Sequence, residues 1–276
     1  MHSPLQTLPP LIAHRGAADR APENTQAAFI EAAAAGAHFV ELNVRLSSDA
    51  ELVVIHDATL ERTTEGSGRV CDHTRAQLTS LDAGSWFGDE FRGECVPPLD
   101  EVLPLLEELD LGAILELKAE SADAAVATAE AFVNLVAQHA ADAEGALWPA
   151  SLVLASMEPA ALAVLAVKLP AVPRALIVER PERDSVSTAV HVGCAHLHVN
   201  HRVLRTELIH EALDAGLVLG AYTINDPDRA EQLWDLGISA LISDVPDLPA
   251  VPKDSDPDDP ESDPMHEAWR RRPPAA

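Results

Sequence analysis

Short apolar runs alternate with stretches of helical spacing along almost the whole chain, and that alternation constrains the fold more than any other feature. The strand candidates are 11–13, 38–44, 113–117, 151–155, 174–178, 195–199, 217–222 and 239–242. Between them apolar residues recur at steps of three and four, as in Val126, Ala129, Val133, Val136 and Ala140, or Ala230, Leu233, Trp234 and Gly237. That is the period of a helix packed on one face. Asp226 before Pro227 reads as an N-cap with proline at the first helical position. Gly36 and Gly237 stand where a helix ends in a left-handed residue. Strands alternating with helices predict a parallel sheet, and eight such units predict closure into a (β/α)8 TIM-type barrel. An open doubly wound sheet is the alternative, but no glycine-rich βα turn is present to hold a dinucleotide.

Two stretches break the rhythm. Residues 45–98 hold no clean βα unit; they contain a short apolar run at 51–55, a Gly66-Ser67-Gly68 turn and the run Gly84-Ser85-Trp86-Phe87-Gly88. This reads as a small insertion after the second strand that caps the C-terminal face of the barrel, with Trp86 and Phe87 as a lid wall or as its own core. Residues 249–276 are rich in Pro and Asp without periodicity. They bury too little apolar surface to offset their ordering entropy, so a disordered tail is expected there and a barrel over 11–248. Arg270-Arg271-Arg272 in that tail is too brief to count as a binding site.

A net charge of -26 argues against nucleic acid or an anionic membrane as the main partner. Lysine occurs only at Lys118, Lys168 and Lys253. Cys71, Cys95 and Cys194 are far apart and form no paired motif, which suits a reducing cytoplasm. The first ten residues lack the pattern of a secretory signal, and no apolar run approaches the roughly 20 residues needed to span a bilayer.

In barrels of this kind the chemistry sits at the C-terminal ends of the strands. The first strand candidate leads into His14-Arg15-Gly16, the second carries Glu41 and Asn43, and the third ends in Glu116 and Lys118. Residues two apart share a strand face, so Glu41 points with Asn43 and Glu116 with Lys118. Two carboxylates and an amide oxygen at one mouth make an oxygen-rich site for Mg2+ or Ca2+. Arg15 and Lys118 add positive charge for an anionic phosphodiester. His14 and His56 titrate near neutrality and can share proton removal and donation; Asp57 either orients His56 or stabilises a local turn. His198 lines the pocket in this reading, and His196 lies deeper as a structural residue. Asn24 either touches the site or caps the first helix.

The chain resembles the glycerophosphodiester phosphodiesterase family, most closely its bacterial cytosolic type. The motifs that carry the likeness begin with His14-Arg15-Gly16, Pro22-Glu23-Asn24-Thr25, Glu41-Leu42-Asn43, His56-Asp57, Leu60-Glu61-Arg62-Thr63-Thr64 and Leu81-Asp82-Ala83-Gly84-Ser85. They continue with Glu116-Leu117-Lys118, His198-Val199-Asn200-His201, Tyr222-Thr223-Ile224-Asn225 and Ser243-Asp244-Val245-Pro246. The resemblance implies hydrolysis to sn-glycerol 3-phosphate and an alcohol, with His14 and His56 as general acid and base. It implies Glu41, Asn43 and Glu116 as ligands of a divalent metal, Mg2+ or Ca2+ with Mn2+ as a further candidate. Arg15 and Lys118 correspond to residues at the phosphate, and His198 and Tyr222 to the substrate pocket. Attack by the substrate's own 2-hydroxyl, usually proposed for the family, would avoid the entropy cost of a separate nucleophile.

The family pattern at the second strand is Glu-x-Asp, and this chain has Asn43. The metal shell thereby loses one negative charge, which predicts weaker cation binding. Tyr222 stands where relatives often have Trp. Two other functions compete with the phosphodiesterase: a barrel that binds glycerophosphodiesters without cleaving them, and a phospholipase D-like relative acting on lysolipids. Six retained site residues argue against the first, and the lack of an apolar rim argues against the second.

Overall fold

The computed structural model describes residues 8–142 and 151–249. Its strands are β1 (Leu11–His14), β2 (Phe39–Leu46), β3 (Leu52–Val54), β4 (Gly112–Leu117), β5 (Leu152–Ser156), β6 (Arg174–Val178), β7 (His196–Asn200), β8 (Val218–Tyr222) and β9 (Ala240–Ser243). Among the described residues, all of these except β3 pair in parallel, in the order β1-β9-β8-β7-β6-β5-β4-β2, and β1 also pairs with β2. The sheet therefore closes on itself as the expected (β/α)8 barrel. Closure is visible in the register, where Ala13 faces Val40 on one side of β1 and Ser243 on the other.

The helices are α1 (Gln26–Ala34), α2 (Arg75–Leu78), α3 (Leu99–Glu108), α4 (Ala122–Asp142), α5 (Pro159–Lys168), α6 (Ser185–His191), α7 (Thr206–Asp214) and α8 (Pro227–Asp235). The expected stop and start signals are present: Gly36 and Gly237 have φ of 87° and 89°, and the Asp226 side chain accepts from the Arg229 N–H at 2.8 Å. Thr25, not Asn24, caps α1, accepting from the Ala28 N–H at 3.3 Å.

Alternation along each strand sorts the core. One set of residues, including Leu42, Val44, Leu115 and Leu154, packs outward against helices such as α3 and α4. A second set, including Leu197, Val199 and Leu219, packs in the same way against α6, α7 and α8. The opposite parity, including Ile12, Phe39, Ile114, Val153, Ala175, Ile177 and Ile242, forms a separate cluster that fills the barrel interior. Counting upward in twos from that interior layer reaches His14, Glu41, Glu116, Glu179 and Tyr222, so the strand ends turn polar just where apolar packing stops.

Between β2 and α3 the chain first turns back on β2. β3 pairs antiparallel with it, setting Val54 opposite Val44. Residues 45 and 46 belong to β2 itself, so the departure from the barrel starts slightly later than 45. Val53, Ile55, Leu60, Val70, Leu78, Ala83 and Val96 then make a small core of their own. Trp86, Phe87 and Phe91 stack edge to face at centroid distances of 5.6 and 5.5 Å, and none of the three lines the cavity at the barrel mouth. The proline- and aspartate-rich stretch from 250 onward, with Arg270-Arg271-Arg272, lies outside the described residues.

Candidate active site

A cavity of about 320 Å³ opens at the C-terminal end of the strands. It is lined by eight of the nine residues singled out from the sequence: His14, Arg15, Glu41, His56, Glu116, Lys118, His198 and Tyr222. The ninth, Asn43, lies behind the carboxylates and is 1% exposed. His14 is the last residue of β1. Arg15 follows it with φ of 58°, a left-handed turn that swings the guanidinium over the mouth. His56 enters from the loop after β3, where Arg45 Nε donates to its carbonyl at 2.8 Å.

Each histidine is held by an aspartate. His14 Nδ1 lies 2.6 Å from Asp244 Oδ1, and His56 Nδ1 lies 2.6 Å from Asp57 Oδ1. Both bonds use Nδ1, leaving Nε2 of each ring as the nitrogen available for chemistry. Arg15 Nε donates to His14 Nε2 at 3.2 Å, so that nitrogen carries a lone pair. Burial, reinforced by the charges of Arg15 and Lys118, pushes the His56 pKa down to about 3 despite Asp57. Burial opposes the Asp244 charge, but the bond and charge of His14, with Asn225 donating at 2.7 Å, hold that carboxyl below its usual range.

The two rings belong to one connected network. Arg15 Nη1 donates to Glu23 Oε1 at 2.6 Å, and Arg62 donates to both Glu23 oxygens at 2.7 and 2.8 Å. Arg62 also grips Asp57 at 2.6 and 3.0 Å. Asp57 thus orients His56 and is itself oriented. Glu23 reaches the site, as its motif suggests, whereas Asp244 and Arg62 carry no role in the sequence reading. Only chain closure brings residue 244 beside residue 14, so no local signal could have assigned Asp244.

The carboxylates converge as the strand parity required. Asn43 faces Glu116 in register across β2 and β4. The Asn43 amide donates to Glu41 Oε1 at 2.7 Å and to Glu116 Oε2 at 2.8 Å, while Lys118 Nζ donates to both Glu116 oxygens at 3.2 Å. Glu41 Oε2 is buried without a hydrogen bond, 3.8 Å from His14 Nε2. Burial raises the Glu41 pKa, which His14 opposes and Glu116 reinforces.

The opposite wall is quieter. His198 is fully buried, neither ring nitrogen makes a hydrogen bond, and desolvation pushes its pKa down to about 3. It fits only because Gly220 faces it on β8; a Cβ there would lie 2.6 Å from the ring. Above it Glu179 accepts from Asn200 Nδ2 at 2.8 Å and from the Tyr222 hydroxyl at 3.1 Å. Glu179 was missed because nothing in its local sequence marks it.

The model of the glycerophosphoryl diester phosphodiesterase family matches residues 14–248. The chain belongs to that family. It is therefore a phosphoric diester hydrolase, and its activity is that of a glycerophosphodiester phosphodiesterase. The Bacillus subtilis protein YhdW is 34% identical over 242 residues, spanning 86% of this chain and 95% of YhdW. An Oleispira antarctica phosphodiesterase, solved with the product sn-glycerol-3-phosphate, superposes with a TM-score of 0.80 at 34% identity, covering 87% of this chain and 94% of that one. A glycerophosphodiester phosphodiesterase from Agrobacterium tumefaciens gives a TM-score of 0.71 at 30% identity, over 88% and 99% of the two chains.

Proposed function

We propose that the chain cleaves glycerophosphodiesters to sn-glycerol 3-phosphate and an alcohol by proton exchange between His14 and His56. The observation that carries this reading is the pair of histidines, each tied through Nδ1 to a carboxylate at 2.6 Å, facing one cavity with Arg15 and Lys118. His56 stays unprotonated at neutral pH and acts as the base on the attacking hydroxyl. A proton carried on His14 Nε2 goes to the departing alkoxide, and water then opens the resulting cyclic phosphate to sn-glycerol 3-phosphate with the two histidines in exchanged roles. That transfer requires Arg15 Nε to donate to the phosphate in place of His14 Nε2. Arg15 and Lys118 offset the charge that grows on the phosphoryl oxygens. His198 and Tyr222 bound the rest of the substrate.

Enzymes of this family generally depend on a divalent metal. Glu41, Asn43 and Glu116 are the groups that would face Mg2+, Ca2+ or Mn2+ here, but they do not fit such a cation as arranged. Asn43 turns N–H groups toward the two carboxylates, and both Glu116 oxygens already accept from Lys118. Every proton transfer proposed here belongs to side chains of the protein itself. The substrate is a small molecule in this reading. Among the described residues no helix is long and apolar enough to cross a membrane.

The test is release of glycerol 3-phosphate from glycerophosphocholine by the native chain, His14→Ala and His56→Ala, with folding checked by circular dichroism. Release by the native chain that collapses in both folded variants is expected. Undiminished release in either variant would sink the assignment of that histidine, and binding without release would favour the non-catalytic barrel.

A further inference from the structure

We infer that the Asn43 side-chain amide, aimed by Asn24, takes the place between Glu41 and Glu116 that a divalent cation needs, so the carboxylate pair is held together without one. The inference concerns the same site as the proposed reaction and rests on that reading for the site's purpose, not for its chemistry.

The orientation of the Asn43 amide follows from a chain of donors that has one sense only. The Asn43 backbone N–H can only donate, and it donates to Asn24 Oδ1 at 3.1 Å. That fixes which end of the Asn24 amide is oxygen. The Asn24 NH2 therefore points at the Asn43 side chain, and donates to Asn43 Oδ1 at 3.0 Å. The remaining end of Asn43 is its NH2, which bridges the carboxylates at 2.7 and 2.8 Å. Turning Asn43 over would set its NH2 against the NH2 of Asn24 and its oxygen against two carboxylates. Turning Asn24 as well would set an NH2 against the backbone N–H. Both asparagines are buried, so water does not repair either mismatch.

Asn24 is anchored in turn. Its φ is 60°, a left-handed conformation that asparagine tolerates better than most residues, and its N–H donates to the Arg15 carbonyl at 2.9 Å. A cation needs lone pairs directed at one point. Here hydrogens of Asn43 meet the carboxylates from below, and the Lys118 ammonium meets Glu116 at 3.2 Å. Of the four carboxylate oxygens, Glu41 Oε2 alone is buried without a hydrogen bond. A single oxygen without a hydrogen bond makes no cation shell.

The test is calorimetric titration of the full chain with Mn2+, and separately Ca2+, alongside melting temperature in EDTA and in each metal, for the native protein, Asn43→Asp and Asn24→Asp. Asn43→Asp exchanges the bridging NH2 for an oxygen. Asn24→Asp leaves Asn43 in place but removes the donor that fixes it, so the Asn43 oxygen is released toward the carboxylates. Expected are weak native binding, affinity raised about tenfold or more in Asn43→Asp, and a smaller rise in Asn24→Asp. Native affinity matching that of Asn43→Asp, with Asn24→Asp unchanged, would overturn the inference. If Asn43→Asp does not fold, unchanged metal affinity in Asn24→Asp overturns it alone. Because none of these readouts is catalytic, a protein that binds metal weakly and fails to hydrolyse substrate would leave the inference standing and remove the reaction.

Discussion

The side of the mouth built by β1, β2 and β4 holds charges that restrain one another, whereas on the side built by β6, β7 and β8 Glu179 is met by the uncharged donors Asn200 and Tyr222. On the first side His14, Arg15, Glu23, Arg62, Asp57 and His56 form one continuous set of contacts of 3.2 Å or less. On the second, His198 sits in the wall with no hydrogen bond, excluded from water and packed against a glycine. The difference separates two ways of setting a histidine. A ring given an aspartate is oriented and keeps one nitrogen free for chemistry. A ring given no hydrogen bond, as His198 beside His196 and Gly220, is kept neutral by burial.

Breaking the charged side has the largest effect. His56→Ala or His14→Ala should lower kcat by about 10²–10⁴-fold, the usual contribution of a positioned acid or base, whereas His198→Ala should act mainly through KM. A His198→Ala loss in kcat equal to that of His56→Ala would dissolve the contrast. Next comes Glu23→Ala, which removes the carboxylate shared by Arg15 and half-exposed Arg62. Arg62 keeps its bonds to Asp57 and the pairs are only part-buried, so a loss of about 1–3 kcal/mol is expected, read from urea unfolding. Activity should fall with it, because Arg15 and Asp57 both lose their orientation.

On the quiet side Gly220→Ala forces a methyl group to 2.6 Å from the His198 ring. Overpacking of this kind costs about 1–3 kcal/mol, so a lowered melting temperature is expected with the charged side intact. A melting temperature equal to the native one would mean that the ring moves freely. A further effect is in pH. His56 and His198 have folded pKa values of about 3 against 6.5, so the unfolded chain takes up protons first. Their contribution is complete above pH 6.5 and falls as pH drops toward 3, by at most about 1.4 kcal/mol per pH unit for each group. His198→Phe should flatten the dependence of melting temperature on pH between 6.5 and 4.5. Parallel curves for the two proteins would show that burial of His198 is not what sets it.

Period and punctuation made much of the fold legible. The eight barrel strands fall where the apolar runs lie, with ends displaced by a residue or two, and Gly36, Gly237 and Asp226 mark helix ends as read. β3 was visible as an apolar run, yet its antiparallel return onto β2 was not, since pairing direction is decided by where the chain turns in space. Asn24 was half-read: its residue type suits a cap, but Thr25 took that place and left Asn24 to Asn43.

Eight of the nine candidate site residues line one cavity, because strand parity and position at a strand's C-terminal end are properties of the local sequence. Partners are not local. Asp244 reaches His14 only when β9 closes on β1, and Glu23 meets Arg62 only when the loop after β3 folds onto the turn between β1 and α1. The sense of the Asn43 amide is decided furthest from the sequence. The residue type offers an oxygen and an NH2 equally, and only the buried contact with Asn24 selects which one faces Glu41 and Glu116. By itself the sequence determined the barrel and the residue types at its mouth, through hydrophobic period and covalent spacing. Tertiary structure alone decided which donor meets which acceptor, since a hydrogen bond depends on direction and distance that chain order does not encode.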